Sequence, residues 1–262
     1  MNTIKFNKYQ GAGNDFIIID ARRSGDSLYD TELVKLLCDR YFGIGADGLI
    51  LLLNSNSKDF YMKYFNSDGH ESTMCGNGGR CIAAFAKKLG IVKDMTVFSG
   101  IDGDHTAYFL EDNQVKLSMV DIEEVIAMED GYLVDTGSPH FVLFRDSLDE
   151  IDVVSEGRKY RNEPRFEPGG ANINFVKILS PGEISLRTYE RGVEDETLAC
   201  GTGSVAAVII SYITTKPDKT TYLVNASGGK LKVSFTPEDN NKFTNVWLEG
   251  PAERVYDGEI VI

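Results

Sequence analysis

Two cysteines in closely similar surroundings are the residues of this sequence best suited to chemistry. Cys75 stands directly before the Gly-Asn-Gly-Gly run 76–79, Cys200 stands directly before Gly-Thr-Gly 201–203, and a helix is predicted after each. Small residues at a helix start allow close backbone approach, and the N–H groups there bind anions such as a carboxylate. The helix dipole also stabilises a thiolate. Each motif therefore predicts a carboxylate site beside a reactive thiol.

Two thiols on opposite faces of one carbon provide the chemistry of stereoinversion. One thiol, as thiolate, removes the α-proton, and the other delivers a proton to the opposite face. The two helix starts stabilise the charge that spreads into the α-carboxylate. No lysine stands in a recognisable pyridoxal-phosphate setting, which favours a reaction without a cofactor. The alternative interpretation is that both cysteines are small buried residues at tight turns.

The two motifs belong to an internal repeat with an offset of 125 positions. Four pairs of segments share this register: 14–18 with 139–143, 45–47 with 170–172, 75–78 with 200–203, and 97–98 and 103 with 222–223 and 228. A duplicated chain predicts two similar domains related by a pseudo-two-fold axis, with equivalent residues approaching one ligand from opposite sides of a cleft.

Both repeats predict the same elements, and together they indicate an α+β fold in which a mostly antiparallel sheet wraps a central helix, twice. Strands rich in Phe, Ile, Val and Leu are predicted at 16–19, 49–53 and 60–65, and again at 141–144, 175–179 and 184–189. Asp30 is a predicted cap for a helix that buries Leu33, Leu36 and Leu37, with Ser155 as its counterpart. The helix after Cys75 is predicted to bury four side chains and to stop at Gly90: Cys81, Ile82, Phe85 and Leu89. The helix over 205–213 is apolar on nearly all sides, which predicts burial.

Composition excludes several classes of function. The 262 residues carry a net charge of −13, which argues against nucleic-acid and anionic-membrane binding. The longest apolar runs, such as 49–53 and 205–210, are too short to span a bilayer, and the first twenty residues lack a signal-peptide pattern. These features predict a cytoplasmic protein. Four cysteines without a Cys-x-x-Cys pair, and three scattered histidines, favour neither a zinc site nor a disulfide scaffold.

Seven motifs together resemble one family of cofactor-independent isomerases, diaminopimelate epimerase. They are QGAGNDF at 10–16, GIGADG at 43–48, FNSDG at 65–69, MCGNGGR at 74–80, TGSPH at 136–140, YERG at 189–192 and LACGTG at 198–203. The resemblance implies interconversion of LL- and meso-diaminopimelate, in lysine and peptidoglycan precursor synthesis, without pyridoxal phosphate or metal. It further implies a homodimer. The domains expected are 1–119 with 249–262 returning as a strand, and 120–248, with the active site between them.

The resemblance also implies a role for each matching residue. Cys75 and Cys200 match the base and acid of the family. The residues that match its carboxylate-binding helix starts are Gly76, Asn77, Gly201 and Thr202. Those that match its other substrate contacts are Asn14, Asn66, Asn172, Glu190 and Arg191. His140, with Glu190, matches groups beside the reacting carbon.

Simpler interpretations stay open for the residues around the cysteines. Asn14 and Asn66 lie beside glycines, where local turn bonding is an alternative role, and Asn172 is suited to cap a strand entrance. Three further alternatives are that His140 satisfies a loop backbone, that Arg191 is a solvated surface charge, and that Glu71 and Glu196, each four positions before a motif cysteine, bond the backbone there. Cys38 and Cys81 are interpreted as packing thiols within helices.

The sequence departs from the family pattern at four places. Ser138 stands where Asn is usual, Gly79 where Ala is common, and Gly48 where some members carry Gln. The link 193–195 is one residue longer than usual. Two competing classes also remain: another enzyme of the superfamily, acting on proline, hydroxyproline or a phenazine precursor, and a binding protein or thiol redox sensor built on the same cleft. Asn77, where proline racemases tend to have His, and the cysteine pair, absent from the phenazine type, argue against the first class.

Overall fold

The computed structural model describes residues 3–73 and 75–262, so that Met74 of the first cysteine motif lies outside the described residues. The chain contains helices and a larger number of strands, in an α+β arrangement. It divides into two compact units. Unit 1 comprises the described part of Met1–Leu117 together with Gly250–Ile262, and unit 2 comprises Ser118–Glu249.

Within the described residues, unit 1 contains two helices and nine strands, of which β8 ends one residue beyond the unit. They are β1 Thr3–Gly11, β2 Asn14–Asp20, α1 Thr31–Cys38, β3 Gly48–Leu53, β4 Tyr61–Asn66, β5 Glu71–Ser72, α2 Gly76–Lys88, β6 Met95–Gly100, β7 Gly103–Phe109, β8 Gln114–Ser118 and β18 Glu253–Val261. Strand β18 pairs antiparallel with β1 from Thr3↔Val261 to Gln10↔Glu253. The last strand along the chain is therefore part of the same unit as the first.

Unit 2 has the matching set of elements. They are β9 Val125–Ala127, β10 Tyr132–Asp135, β11 Pro139–Phe144, α3 Val153–Arg161, β12 Asn172–Ser180, β13 Glu183–Glu190, β14 Asp195–Thr197, α4 Gly201–Thr215, β15 Thr221–Ala226, β16 Gly229–Pro237 and β17 Phe243–Pro251. Short 3-10 helices cover Pro164–Phe166 and Asp239–Asn241. None of the helices within 3–73 and 75–262 is long and apolar enough to cross a membrane.

Strand pairing follows one plan in both units. β2 pairs parallel with β3, and β11 pairs parallel with β12. A parallel pair needs a crossover, and α1 and α3 supply it, since each lies between the two strands in the chain. β4 with β6 and β13 with β15 are parallel as well, across α2 and α4. The hairpins that complete each sheet are antiparallel. The predicted α+β fold is confirmed.

The strands beside the crossovers are buried on both faces. In unit 1, Ile17, Ile19, Leu49 and Leu51 pack with α1 in one core cluster. The alternate residues of β2 and β3 face α2, where a Cβ on Gly78 would lie 3.1 Å from Ile50 Cδ1. Because both faces are covered, these strands are continuous apolar runs instead of alternating apolar and polar residues.

The helices α2 and α4 occupy equivalent places in the two units. α2 packs against β1 to β4, β7 and β18, and α4 packs against β10 to β13, β15 and β16. Ten of the first eleven residues of α4 are buried, which agrees with its apolar sequence. Gly90 adopts the left-handed φ of +74° just after α2, so the predicted stop is correct, but Leu89 is 38% exposed at the C-cap and not buried as predicted.

The first helix of each repeat differs in detail from its prediction. Asp30 caps α1 by accepting a hydrogen bond from Leu33 N. The buried face, however, is Val34, Leu37 and Cys38, and Leu36 is 46% exposed. In unit 2 the cap is not Ser155 but Asp152, whose carboxylate accepts from Ser155 N.

The repeat offset also changes along the chain. Gly76 and Gly201 begin the two central helices at the predicted spacing of 125. Gly229, not Gly228, is the hairpin equivalent of Gly103, because Gly100↔Gly103 matches Ala226↔Gly229. α4 is two residues longer than α2 and the link after it is one residue shorter, which moves the following strands by one position. With that shift, β6 and β15 share one burial pattern.

Candidate active site

The first cluster of candidate residues, in unit 1, lies where α2 begins. Cys75 is the N-cap in an extended conformation (φ −88°, ψ 128°), and its side chain is half-buried. Gly76 and Asn77 form the buried first turn, so the backbone there is bare of bulky side chains. This geometry combines a thiol with the donor end of a thirteen-residue helix.

Asn14 contacts two residues of the first cysteine motif, Cys75 and Asn77. Its Oδ1 accepts from Cys75 Sγ at 3.5 Å and from Asn77 Nδ2 at 3.2 Å. Its Nδ2 donates to Asp47 Oδ2 at 2.6 Å. The alternative interpretation of Asn14 as a local turn residue is wrong, because all three partners are distant in the sequence.

Asp47, which accepts the hydrogen bond from Asn14, belongs to a cluster of four charged side chains. Lys8 and Arg40 both pair with Asp15, at 2.8 Å each, and Arg40 also reaches Asp47 at 2.7 Å. Burial raises the pKa of Asp15, but the hydrogen bonds from Arg40 and Lys8 outweigh that effect and lower it to about 2. Sequence analysis missed Asp47 as a supporting residue. The available signal was its repeat partner, Asn172, at the offset of 125.

Arg80 is a second residue that sequence analysis missed, although it stands in the cysteine motif. Its side chain is fully buried in the first turns of α2. The guanidinium donates to Asn77 Oδ1 at 2.8 Å, to Gly76 O at 3.2 Å and to Pro251 O at 3.3 Å. Burial lowers the pKa of Arg80 from its ordinary value. From sequence, a charged residue in a helix is expected on the solvated face, so the burial of Arg80 was not predicted.

The second cluster of candidate residues, in unit 2, lies where α4 begins. Cys200 is the N-cap (φ −106°, ψ 117°) and is only 6% exposed. Its Sγ accepts from Gly203 N at 3.3 Å and lies 3.5 Å from Thr202 Oγ1. The sulfur therefore meets a hydrogen-bond donor of the first helical turn.

His140 is held beside this sulfur by side chains. Its Nε2 lies 2.9 Å from Thr202 Oγ1 and 3.1 Å from Ser138 Oγ, and its Nδ1 lies 3.1 Å from Asn174 Nδ2. Burial lowers the pKa of His140 to about 3, and the positive charge of Arg191 acts in the same direction. The imidazole is therefore neutral near pH 7. The interpretation that His140 only satisfies loop backbone is wrong.

The predicted binding residues of unit 2 lie around the start of β12 and the end of β13. Asn172 Nδ2 donates to Pro139 O at 3.0 Å, and its Oδ1 accepts from Arg191 N at 2.9 Å. Glu190 Oε2 accepts from Thr197 Oγ1 at 2.9 Å. Arg191 is half-buried and acts on the pKa of His140, so it is not a wholly solvated charge. Unit 2 thus places His140, Glu190, Arg191 and Cys200 on adjoining segments.

The two glutamates before the cysteine motifs are structural. Glu196 forms a bidentate pair with Arg187, with both distances 2.7 Å, and Glu71 pairs with Lys63 at 3.5 Å. The alternative interpretation predicted bonds to the backbone of the cysteine turns. Among the described residues, both carboxylates pair with cations instead. Asn66 ends β4 in a turn where its N donates to His70 O at 3.0 Å.

Two departures from the family pattern have structural explanations. A Cβ on Gly48 would lie 2.6 Å from both Phe65 O and Tyr64 Cε2, so this backbone leaves no room for a side chain there. In the longer link, Glu194 accepts from Gly192 N at 3.0 Å and from the Tyr189 hydroxyl at 3.1 Å. The link before Cys200 is therefore tied to β13.

Cys38 and Cys81 differ from the two motif cysteines. Both are buried, at 3% and 0% exposure, and burial raises the pKa of each thiol to about 12. These values suit packing thiols in an apolar setting.

Burial of neutral His140 is expected to make stability depend on pH. The pKa is about 3 in the folded state and 6.5 ordinarily. Between these values the unfolded chain binds a proton that the folded chain does not, so the free energy of unfolding falls by up to about 1.4 kcal/mol per pH unit as pH decreases. Urea unfolding between pH 7 and 4.5 measures this slope. His140→Gln should lower this slope by up to about 1.4 kcal/mol per pH unit, the contribution of one proton. His70→Gln, at an exposed position, should leave the slope unchanged. Equal slopes in all three proteins would contradict the burial argument.

Comparison with known proteins identifies close relatives over nearly the whole chain. A sequence profile of the family described as diaminopimelate epimerase matches residues 6–124 and 132–255. A diaminopimelate epimerase of Flavobacterium psychrophilum is 52% identical over 257 residues, covering 98% of this chain and 100% of the relative. One of Chlorobaculum tepidum is 43% identical, covering 96% and 99%. The resemblance drawn from the motifs is confirmed.

Solved structures share the fold at low sequence identity. A phenazine biosynthesis protein of the PhzF family from Bacillus anthracis matches with a TM-score of 0.79 at 16% identity, covering all of both chains. A hydroxyproline epimerase from Agrobacterium vitis matches with a TM-score of 0.73 at 14% identity, covering 98% of this chain and 92% of the other. At these identities the likeness concerns the fold alone, which agrees with the α+β architecture described above.

Proposed function

Because the chain belongs to the diaminopimelate epimerase family, we propose that it interconverts LL- and meso-diaminopimelate by a two-base reaction of Cys75 and Cys200. One structural observation supports this most directly. Each of the two repeats places a cysteine at the N-cap of its buried central helix. The activity supplies the meso isomer for the synthesis of lysine and of peptidoglycan precursors.

In the proposed reaction, the two repeats face one substrate from opposite sides. The thiolate of one cysteine takes the α-proton, and the thiol of the other gives its proton to the opposite face, so that the two sulfurs exchange roles. The electron pair of the broken C–H bond spreads into the α-carboxylate. The N–H groups at the starts of α2 and α4 hold that carboxylate through Gly76, Asn77, Gly201 and Thr202.

The remaining predicted residues orient the substrate. Arg191 is suited to grip a carboxylate in a bidentate manner, and Glu190 is suited to accept from an ammonium group. Asn14, Asn66 and Asn172 supply further amide donors and acceptors to the ends of the molecule. His140 is neutral and lies next to Thr202, so it orients the hydroxyl there without adding a charge.

Three further features are part of the proposal. The reaction uses no cofactor, because the two thiols perform both proton transfers. The protein acts in the cytoplasm, as its composition predicts, and as a homodimer, as the family resemblance implies. The two units act as domains, with bounds near 1–119 plus 249–262 and 120–248, and they hold the substrate between them.

Deuterium incorporation tests the proposed activity. The purified protein is incubated in deuterated water with LL-diaminopimelate, meso-diaminopimelate, L-proline or trans-4-hydroxy-L-proline, and each amino acid is analysed by mass spectrometry. Deuterium should enter the α-carbon of both diaminopimelate isomers only. Cys38→Ala, at a packing thiol, should retain the exchange, whereas the double variant Cys75→Ala/Cys200→Ala should lose it. Exchange into proline or hydroxyproline, or into no amino acid, would refute the proposal.

A further inference from the structure

We infer that the two half-sites have opposite hydrogen-bond polarity, so that in the ligand-free enzyme Cys200 is held as thiolate and Cys75 as thiol, with Asp47 and Asn174 as the positioning residues that set this difference. The inference deepens the proposed function, since it assigns the starting proton to one of two otherwise equivalent cysteines. Both sulfurs are N-caps of long helices, so the helix dipole does not distinguish them.

The Cys75 side presents an acceptor to the sulfur. A carboxylate only accepts hydrogen bonds, so Asp47 fixes the atom of Asn14 that faces it, 2.6 Å away, as the amide nitrogen. A guanidinium only donates, so Arg80 fixes Oδ1 of Asn77 towards itself and leaves Nδ2 of that amide for Asn14. The donation thus runs from Arg80 through Asn77 and Asn14 to Asp47.

The oxygen of Asn14, fixed by this series of hydrogen bonds, also faces Cys75. Asn14 Oδ1 lies 3.5 Å from Cys75 Sγ. A carbonyl oxygen accepts a hydrogen bond from S–H, but it has no proton with which to donate a hydrogen bond to S⁻. This contact therefore favours the thiol. The charge of Arg80 acts in the opposite direction, but its three described hydrogen bonds go to oxygens of Asn77, Gly76 and Pro251. The contact with Asn14 Oδ1 therefore opposes the thiolate that the charge of Arg80 favours.

The Cys200 side presents donors, and the argument begins at Asn174. Its Nδ2 lies 3.2 Å from Phe141 O and 3.4 Å from Asn172 O, and both carbonyls accept only. Its Oδ1 accepts from Thr188 Oγ1 at 3.0 Å. The amide nitrogen of Asn174 therefore also faces His140 Nδ1, which must be the unprotonated ring nitrogen.

The proton of neutral His140 then lies on Nε2, from which it points to Thr202 Oγ1 at 2.9 Å. A hydroxyl that accepts from the imidazole has its own proton for the next acceptor, which is Cys200 Sγ at 3.5 Å. Gly203 N donates to the same sulfur at 3.3 Å. Two donors directed at one sulfur favour its thiolate. Arg191, whose charge helps to lower the pKa of His140, adds positive charge on this side.

The difference is measured without substrate. The ligand-free protein is alkylated with iodoacetamide at a series of pH values, and the rate at each cysteine is followed by peptide mass spectrometry. The midpoint of each rate profile reports the protonation of that sulfur, whereas accessibility changes only the plateau. The midpoint of Cys200 should lie at least about one pH unit below that of Cys75. Equal midpoints, or the reverse order, would overturn the inference.

Matched variants test the two positioning chains separately. In Asp47→Asn, the new amide can donate, so Asn14 is no longer fixed and the midpoint of Cys75 should fall towards that of Cys200. Asp26→Asn, which removes a carboxylate paired with Lys63 elsewhere in unit 1, should not shift it. On the other side, Asn174→Leu removes the amide that fixes His140, and Thr202→Val removes the hydroxyl. Both should raise the midpoint of Cys200, and Thr202→Ser should restore it.

The outcomes separate this inference from the proposed activity. Folding of each variant is checked by circular dichroism, and where a variant does not fold, the order of the two midpoints in the parent protein still tests the inference. Distinct midpoints in a protein that exchanges no diaminopimelate would refute the activity only. Exchange of diaminopimelate by a protein with equal midpoints, or midpoints that no variant shifts, would refute the protonation asymmetry only.

Discussion

Replacing Cys75 by Ser is expected to leave an enzyme that exchanges the α-proton of one stereoisomer, and replacing Cys200 by Ser is expected to leave one that exchanges only the other. Serine keeps the shape of cysteine, but its hydroxyl ionises far less readily near neutral pH. The base role at the substituted position is lost, while the remaining thiolate still acts on its own face. Net epimerisation should fall by about 10²–10⁴-fold, the usual contribution of one acid–base group.

The measurement is made on each isomer separately, by solvent deuterium uptake or by fluoride loss from a β-fluorinated analogue. Cys38→Ser provides the matched control at a buried thiol and should retain both activities. The alanine variants of Cys75 and Cys200 should lose epimerisation in both directions. If the two serine variants prefer the same isomer, both residues act on one side of the α-carbon and the two-face mechanism is wrong.

Adding one methyl group at Gly157 is expected to destabilise the protein, although alanine is usually the better helix former. Gly157 lies buried within α3, and its Cβ would be 2.4 Å from Tyr189 Cβ and 2.6 Å from Tyr189 Cγ. Neither atom is the flexible end of a side chain, so helix and strand must separate. Overpacking of this kind costs about 1–3 kcal/mol, more than the gain of about 1 kcal/mol in helix propensity.

Urea unfolding of Gly157→Ala measures the loss, with Ser155→Ala at an exposed position of the same helix as the control. The control should be as stable as the parent or slightly more so. Because Tyr189 precedes Glu190 and Arg191, exchange activity of Gly157→Ala should fall as well. A Gly157→Ala protein that is more stable than the parent would show that the close contact with Tyr189 is not maintained.

Much of the fold was readable from the sequence because burial leaves a local pattern. The apolar runs of β2 and β3 and the apolar helix α4 are continuous since each is covered on all sides. The offset of 125 was readable at β2 with β11 and at the starts of α2 and α4. It changes after the central helices because α4 is longer than α2, and a constant offset does not follow such a change.

Some residues of the candidate site were also readable from the sequence, and others were not. Cys75 and Cys200 were readable from their glycines, and Asn14 and His140 from the motifs that carry them. Asp47 and Asn174 were not, because each acts through a contact between distant segments of its own unit, such as that of Asp47 with Asn14. Which atom of an amide faces a sulfur is decided by tertiary partners, and sequence spacing contains no information about them.

The pairing of β1 with β18 also sets the order in which the protein is assembled during translation. Thr3 pairs with Val261, so the unit whose synthesis starts first is the one whose sheet is finished last. The paired strands from β9 to β16 lie within Ser118–Glu249 and are complete in the nascent chain before β18 has been made. Domains generally fold as units when their residues have emerged from the ribosome. Until then one edge of β1 has no neighbour, and an unpaired strand edge is a template for association with other chains.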